Sequence, residues 1–317
     1  MNFFIFELEK HEYLIDTFLE SASLSHNKDK KTKEWFLWKF KDNSFGKPIL
    51  ACVEDQNKIV ACVALGKQDF ILGSKIIKGA LSFETFVHPD YQGKGIFSKL
   101  IGIAEKEAIH QGICVLLNFP NSNSLRGFIK KKWNYLDISE YRVKPRLSIF
   151  NFLFFYDIKK SFEIAKPSEN FIALPQNFTQ ESLPKKVQCQ LTLPYLKWRF
   201  DYKKNLGYCF LSNDYFDCLF RYGKRGRLRE SQILYFNIKS NSFTFKHFYK
   251  EVFKSQKYDL ISFLTSTNNT FFTIIKKNTL FKVPNNVNIC YKILDENAIS
   301  KGEFNTISIT GINYHTY

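Results

Sequence analysis

The sequence predicts an α/β fold with a central mixed sheet, followed by a second, smaller version of the same plan. Three observations carry this. Strand-length apolar segments alternate with helix-length amphipathic ones. Residues 85–99 run from a strand through a glycine-bearing loop straight into a helix, and two landmarks of the first half recur in the second.

Taken in order, a strand at about residues 3 to 8 precedes two helical segments, His11 to Ser23 and Thr32 to Lys41, the second carrying Trp35, Trp38 and Phe40. Ile49 to Val53 and Lys58 to Leu65 flank Glu54-Asp55-Gln56-Asn57, the pattern of a hairpin, and Phe70 to Leu72 with Ser74 to Val87 adds strands around Gly73. Ile96 to Gln111 is an amphipathic helix. Phe97, Leu100, Ile101, Ala104, Ala108 and Ile109 occupy one side, Lys99, Lys106 and Glu107 the other, and Gly112 ends it. Ile113 to Asn118 reads as a buried strand, Asn123 to Lys132 as a helix opened by cap-type residues, and Trp133 to Val143 as a further strand.

The repeat rests on Phe36-Leu37-Trp38-Lys39-Phe40 beside Tyr195-Leu196-Lys197-Trp198-Arg199-Phe200. It rests also on Asn123-Ser124 with Ile129-Lys130-Lys131 beside Asn269-Thr270 with Ile275-Lys276-Lys277. In so biased a composition, chance similarity is the competing explanation. The copy lacks the glycine loop: only Lys239-Ser240-Asn241-Ser242 joins the strand Gln232 to Ile238 to the helical Phe243 to Phe253. The division expected is 1–146 and 147–317. A crossover at 144–167 would place Phe150, Phe152, Phe154 and Phe155 between the halves.

With 317 residues, 44% of them apolar, the chain can form packed interiors. No run approaches the roughly 18 to 20 apolar residues of a membrane span. Ile149 to Tyr156 is short and interrupted by Asn151, and the N-terminus reads as a strand rather than a signal peptide, so a cytoplasmic protein is expected. Seven cysteines, at 52, 62, 114, 189, 209, 218 and 290, form no metal-ligand spacing and read as buried reduced thiols; no metal is expected. The net charge of +16 is mostly lysine spread along the chain, and the cluster Lys28 to Lys33 falls between helices as a solvated loop. That distribution points away from nucleic acid and toward an anionic cofactor or substrate.

Residues 85–99 are the most specific feature. Gly93 and Gly95 in Gln92-Gly93-Lys94-Gly95 allow backbone N–H groups to converge, and the helix beginning near Ile96 adds its unpaired N–H groups and positive dipole end at the same place. A pyrophosphate fits there.

Gln92-Gly93-Lys94-Gly95-Ile96-Phe97 resembles the acyl-CoA loop of the GNAT superfamily of N-acyltransferases, Gln/Arg-x-x-Gly-x-Gly/Ala, with Phe97 in place of the last small residue. The second signature, Asn-x-x-Ala-x-x-x-Tyr-x-Lys-x-Gly-Phe, is similar to Asn121-x-x-Ser124-x-x-x-Phe128-x-Lys130-x-Lys132-Trp133. Residues 45–140 carry the resemblance, and the second half only as a degenerate copy lacking the loop. It implies a GNAT fold whose central strands splay, with the pantetheine arm of acetyl-CoA in the gap. Phe86 and Val87 would pair with that arm through their backbones. The pyrophosphate would rest on Gln92, Gly93, Lys94, Gly95, Ile96 and Phe97, and Asn121 and Ser124 would line the opposite wall.

The resemblance also implies acyl transfer to an amine, which needs a neutral amine, a stabilised oxyanion and a protonated leaving thiolate. Glu84, on the strand before the loop, is the candidate to take the ammonium proton, with an ion pair to a lysine such as Lys78 as its alternative reading; a backbone N–H near Val87 would serve the oxyanion. The family's tyrosine acid is Phe128 here, which leaves Tyr91 or Tyr135 if folding brings one close. The leading expectation is an acetyl-CoA-dependent N-acetyltransferase acting on a small-molecule primary amine, with an amino sugar of surface-polysaccharide synthesis as the suggested acceptor. A non-catalytic acyl-CoA-binding protein and a peptidoglycan-type aminoacyl transferase are the alternatives, the second disfavoured by the clear CoA loop. Trp38, Tyr195 and Trp198 are read as core before acceptor-pocket residues.

Overall fold

In the computed structural model, which describes residues 1–26, 31–146, 162–165, 178, 180, 182–201, 207–279, 281–284 and 287–314, the chain opens with β1 (Asn2–Ile5), α1 (Leu8–His11), α2 (Ile15–His26) and α3 (Lys33–Phe40). Next come β2 (Ile49–Asp55), β3 (Lys58–Lys67), β4 (Phe70–Leu72), β5 (Lys75–Ile77) and β6 (Gly79–Val87). Then follow α4 (Ile96–His110), β7 (Val115–Asn118), α5 (Ser122–Lys130), β8 (Asn134–Leu136) and β9 (Ser139–Pro145). The remainder contributes β10 (Phe162–Ile164), β11 (Val187–Cys189), α6 (Leu193–Asp201), β12 (Tyr208–Ser212), β13 (Phe216–Arg225) and β14 (Leu228–Ile238). It ends with α7 (Phe245–Ser255), β15 (Leu260–Ser266), α8 (Phe272–Asn278), β16 (Phe281–Val283), β17 (Ile289–Ile293), α9 (Lys301–Phe304) and α10 (Gly311–Tyr314).

One compact unit comprises Met1–Asp137, Ser182–Gln190 and Asn288–Thr306. Its main sheet has the order β1-β2-β3-β6-β7-β17-β8. All neighbours run antiparallel except β6 and β7. Gln56 and Asn57, at φ +51° and +59°, make the tight β2–β3 turn that the polar tetrapeptide predicts. Thr32 caps α3 by accepting from Trp35 N at 3.1 Å, and Gly112 at φ +72° turns the chain out of α4. The buried face of α4 is Ile96, Leu100, Ile101, Ala104 and Ala108, against Ala51, Val53, Ala61 and Val63 of the sheet. Leu100 and Ile101, 0% and 1% exposed, stabilise this layer by about 2 kcal/mol each. Ile109, expected on that face, is exposed, because it lies about 100° around the helix from Ala108.

The second unit comprises Ile138–Glu181, Leu191–Val287 and Ile307–Tyr317. Its sheet order is β10-β13-β14-β15-β9-β16, with β12 also on β13, and only β14 and β15 are parallel. The two strand orders correspond: β3-β6-β7-β17-β8 matches β13-β14-β15-β9-β16, with α4 and α7 each joining the parallel pair. The fourth place of this series is exchanged. β17, from the end of the chain, sits between β7 and β8, while β9 sits between β15 and β16. The expected strand from Trp133 to Val143 is therefore two strands, parted at Asp137 and Ile138, in different sheets. The expected boundary at residue 146 falls just after β9, which pairs within the second unit. Phe150, Phe152, Phe154 and Phe155 lie outside the described residues. All seven cysteines are free thiols, six of them buried.

Candidate active site

Both loop glycines adopt the left-handed conformation that glycine permits, Gly93 at φ +76° and Gly95 at φ +74°, and a Cβ at either would meet nothing within 4 Å. Their backbone is therefore uncovered. Gly95 is the N-cap of α4 without a side-chain capping bond, so the first-turn N–H groups of Ile96, Phe97 and Ser98 lack intrahelical acceptors. The Ile96 side chain is in the core and contributes to this edge only through its backbone. Lys94 lies with its ammonium 4.8 Å from the Tyr91 ring centroid.

Beside the loop the sheet opens. β6 and β7 pair from Gly79↔Val115 to Ser82↔Asn118 and no further, although β6 continues to Val87. On its other edge β6 carries a bulge: Phe83 faces Ala64 and Phe86 faces Cys62, so Glu84 and Thr85 together oppose Val63. His88 N–H donates to Val60 O at 2.8 Å, and by alternation the backbone groups of Val87 point to the open edge while those of Phe86 face β3. Pairing with an extended ligand thus falls to Val87, and Phe86 packs its ring 5.1 Å from Phe18. The Val87 carbonyl accepts from Gln92 Nε2 at 3.2 Å and has Ser25 Oγ at the same distance, although the single Ser25 proton has a nearer acceptor in Ser21 O at 2.7 Å. The resulting cleft, about 460 Å³, is bounded by Thr85, Phe86 and Val87, by the loop, and by Asn121, Asn123, Ser124 and Gly127.

The sequence profile of the Acetyltransferase (GNAT) family matches residues 8–132, which contain this loop, the gap and the cleft. Residues 8–132 are a GNAT acetyltransferase domain. Solved structures extend the fold likeness over the chain. A GCN5-related N-acetyltransferase from Anabaena variabilis superposes with TM-score 0.64 at 12% identity, covering 94% of this chain and 74% of that one. A GCN5-related N-acetyltransferase from Kribbella flavida gives 0.60 at 10%, over 94% and 72%. Eis1 from Mycobacterium abscessus gives 0.57 at 12%, over 94% and 75%. Comparison with curated proteins yields no match.

Within the GNAT domain, Asn121 and Ser124 stand on the cleft wall, but their side chains serve the helix. Asn121 Oδ1 caps α5, accepting from Asn123 N at 3.1 Å, Ser124 N at 2.9 Å and Ser124 Oγ at 3.0 Å. Phe97 fills the space above Gly127, where a Cβ would come within 2.3 Å of its ring, and meets Phe128 edge-on at 5.3 Å. The bulk at position 97 is thus accommodated by the lack of a side chain at 127. Phe128 is 1% exposed and belongs to the core. Tyr91 lines the cleft, but its hydroxyl donates to Asp55 Oδ2 at 2.8 Å, a bond that holds its pKa above the usual phenol range. Tyr135 is exposed on β8.

Glu84 has an unusual backbone for a non-glycine residue, φ +42°, at the bulge. Its carboxylate meets Lys39 Nζ at 2.7 Å and also Lys31 Nζ, while Lys78 pairs instead with Asp69 at 2.6 Å. Burial raises the Glu84 pKa, but the charges of Lys39 and Lys31 overcome it and bring the pKa down to about 2. Such a carboxylate is ionised at neutral pH and is a weak proton acceptor. Trp35 lies against both ammonium groups, 4.1 Å from Lys31 Nζ and 4.8 Å from Lys39 Nζ. Sequence reasoning missed Lys31, Lys39, Ser25 and Thr85. Only Lys39 left a signal, as a lysine among the aromatic residues of α3, where its side chain is 0% exposed.

Proposed function

We propose that the chain is an acetyl-CoA-dependent N-acetyltransferase that acts in the cytoplasm on the primary amine of a small molecule, with an amino sugar as the first class to test. The observation that carries this reading is the unpaired edge of β6 running from the glycine loop into the 460 Å³ cleft. Acetyl-CoA supplies the activated acyl group. Its pyrophosphate fits the uncovered backbone from Gln92 to Phe97, where the first-turn N–H groups of α4 await an anion. Val87 offers one open-edge N–H, since its carbonyl already accepts from Gln92. Asn121 and Ser124 shape the facing wall through the cap of α5.

Glu84 contributes here as a fixed negative charge that anchors the bulge; held by Lys39 and Lys31, it is too weak a base to take the proton of the acceptor ammonium, which leaves to water. With the Tyr91 hydroxyl committed to Asp55, thiolate departure relies on the modest basicity of a thiol with pKa of about 8.5. Phe128, buried at the position where the family signature has a tyrosine, favours a second reading, a protein that binds acyl-CoA without turnover. Thiol release from acetyl-CoA across a panel of primary amines separates the two. Amine-dependent release that disappears in Gly95→Asp supports the enzyme; acetyl-CoA binding with no release for any amine supports the binding protein.

A further inference from the structure

Thr85 Oγ1 is shielded from solvent and has no hydrogen-bond partner among the described residues. Its neighbours on the cleft wall are satisfied: Tyr91 by Asp55, Gln92 by the Val87 carbonyl, Ser25 by Ser21, and Ser124 by Asn121. A buried hydroxyl in that condition has given up water without replacement; Ser231 and Thr265 share it, but of the three only Thr85 lines the cleft.

Its depth says which ligand atom would meet it. A strand advances about 3.3 Å per residue, so Thr85 lies roughly 7 Å further into the gap than Val87, toward the closed end at Ser82 and Asn118. The phosphate-binding backbone lies at the opposite end, beyond Val87. A ligand whose phosphates rest on that loop reaches Thr85 with its far, reactive terminus. There it carries a carbonyl oxygen bonded to the carbon next to sulfur. The Glu84 and Thr85 bulge, anchored by Lys31 and Lys39, sets the hydroxyl in place.

Resting on the acyl-CoA reading above, we infer that Thr85 Oγ1 donates a hydrogen bond to the thioester carbonyl oxygen, so that the cleft distinguishes acyl-CoA from free CoA. The bond positions the carbonyl for attack and strengthens as negative charge gathers on its oxygen.

The test compares acetyl-CoA with CoA by calorimetry in wild type, Thr85→Val and Thr85→Ser. Thr85→Val keeps the side-chain shape and removes only the hydroxyl. It should weaken acetyl-CoA binding about tenfold while leaving CoA affinity within about twofold. Its ligand-free melting temperature should rise, because the unsatisfied hydroxyl is gone, and Thr85→Ser should restore the preference for acetyl-CoA. Equal losses for both ligands, or no change for either, overturn the inference while leaving the acyl-CoA reading intact. A wild type that binds neither ligand overturns both.

Discussion

Each unit contains a parallel strand pair that separates part-way, and the two gaps have opposite contents. In the GNAT domain, β6 leaves β7 after Ser82, and the space beside it is a cleft. In the second unit, β14 leaves β15 after Ile233, with its own register shift, where Leu219 faces Tyr235 and Phe220 faces Ile233. There the chain fills the space itself. Ser266 N donates to Ile309 O at 3.0 Å, Thr310 bridges Thr265, and Gly311 lies so close that a Cβ would fall 2.8 Å from Ile233 O and 2.9 Å from Leu234 Cα. Ile307, Ile309 and Ile312 are each 0% exposed. A splayed sheet thus has a cost in unpaired backbone, which the second unit meets with its own residues and the first leaves open along β6.

That contrast can be broken from either side. Gly311→Val forces a side chain into backbone that cannot withdraw, and should destabilise the second unit by about 3 kcal/mol, read by chemical denaturation. Lys39→Met removes one of the two ion pairs of Glu84 described above and should cost about 2 kcal/mol, visible in the same measurement. The pH dependence follows from the lowered Glu84 pKa. The stabilisation from its ion pairs is complete above the unfolded value of 4.5 and disappears as pH falls toward about 2, so an acid titration of Glu84→Gln should lack that component of the wild-type loss. Gly127→Ala should displace the Phe97 ring at a cost of about 1 kcal/mol and weaken acetyl-CoA binding, with Phe97→Ala in the same chain restoring both. Lys47→Ala, which removes the exposed pair with Glu9, should leave the melting temperature unchanged.

What was legible in the sequence was local. The β2–β3 turn, α4 with its Gly112 stop and the loop from Gln92 to Phe97 are written in contiguous residues, and the structure has them close to where they are expected, while α5 starts one residue before the expected Asn123, with Asn121 as its cap. The partners of Glu84 were not legible, because Lys31 and Lys39 reach it from residues distant in the chain, whereas Lys78 is merely nearby in sequence. Alternation places Trp133 to Val143 in a single strand without showing the break at Asp137 and Ile138 that sends its two parts to different sheets. The filling of the second gap was equally hidden: Ile307-Ser308-Ile309 reads as an ordinary apolar alternation, and only tertiary packing gives it a place.

The central claim is that the chain binds acyl-CoA in one of its two gaps, the one with the glycine loop. Calorimetric titration of the intact protein with acetyl-CoA tests it most directly through stoichiometry, with Gly95→Asp as the companion. One site per chain, lost in the variant, is the predicted result; two sites, or one site that survives Gly95→Asp, would contradict it.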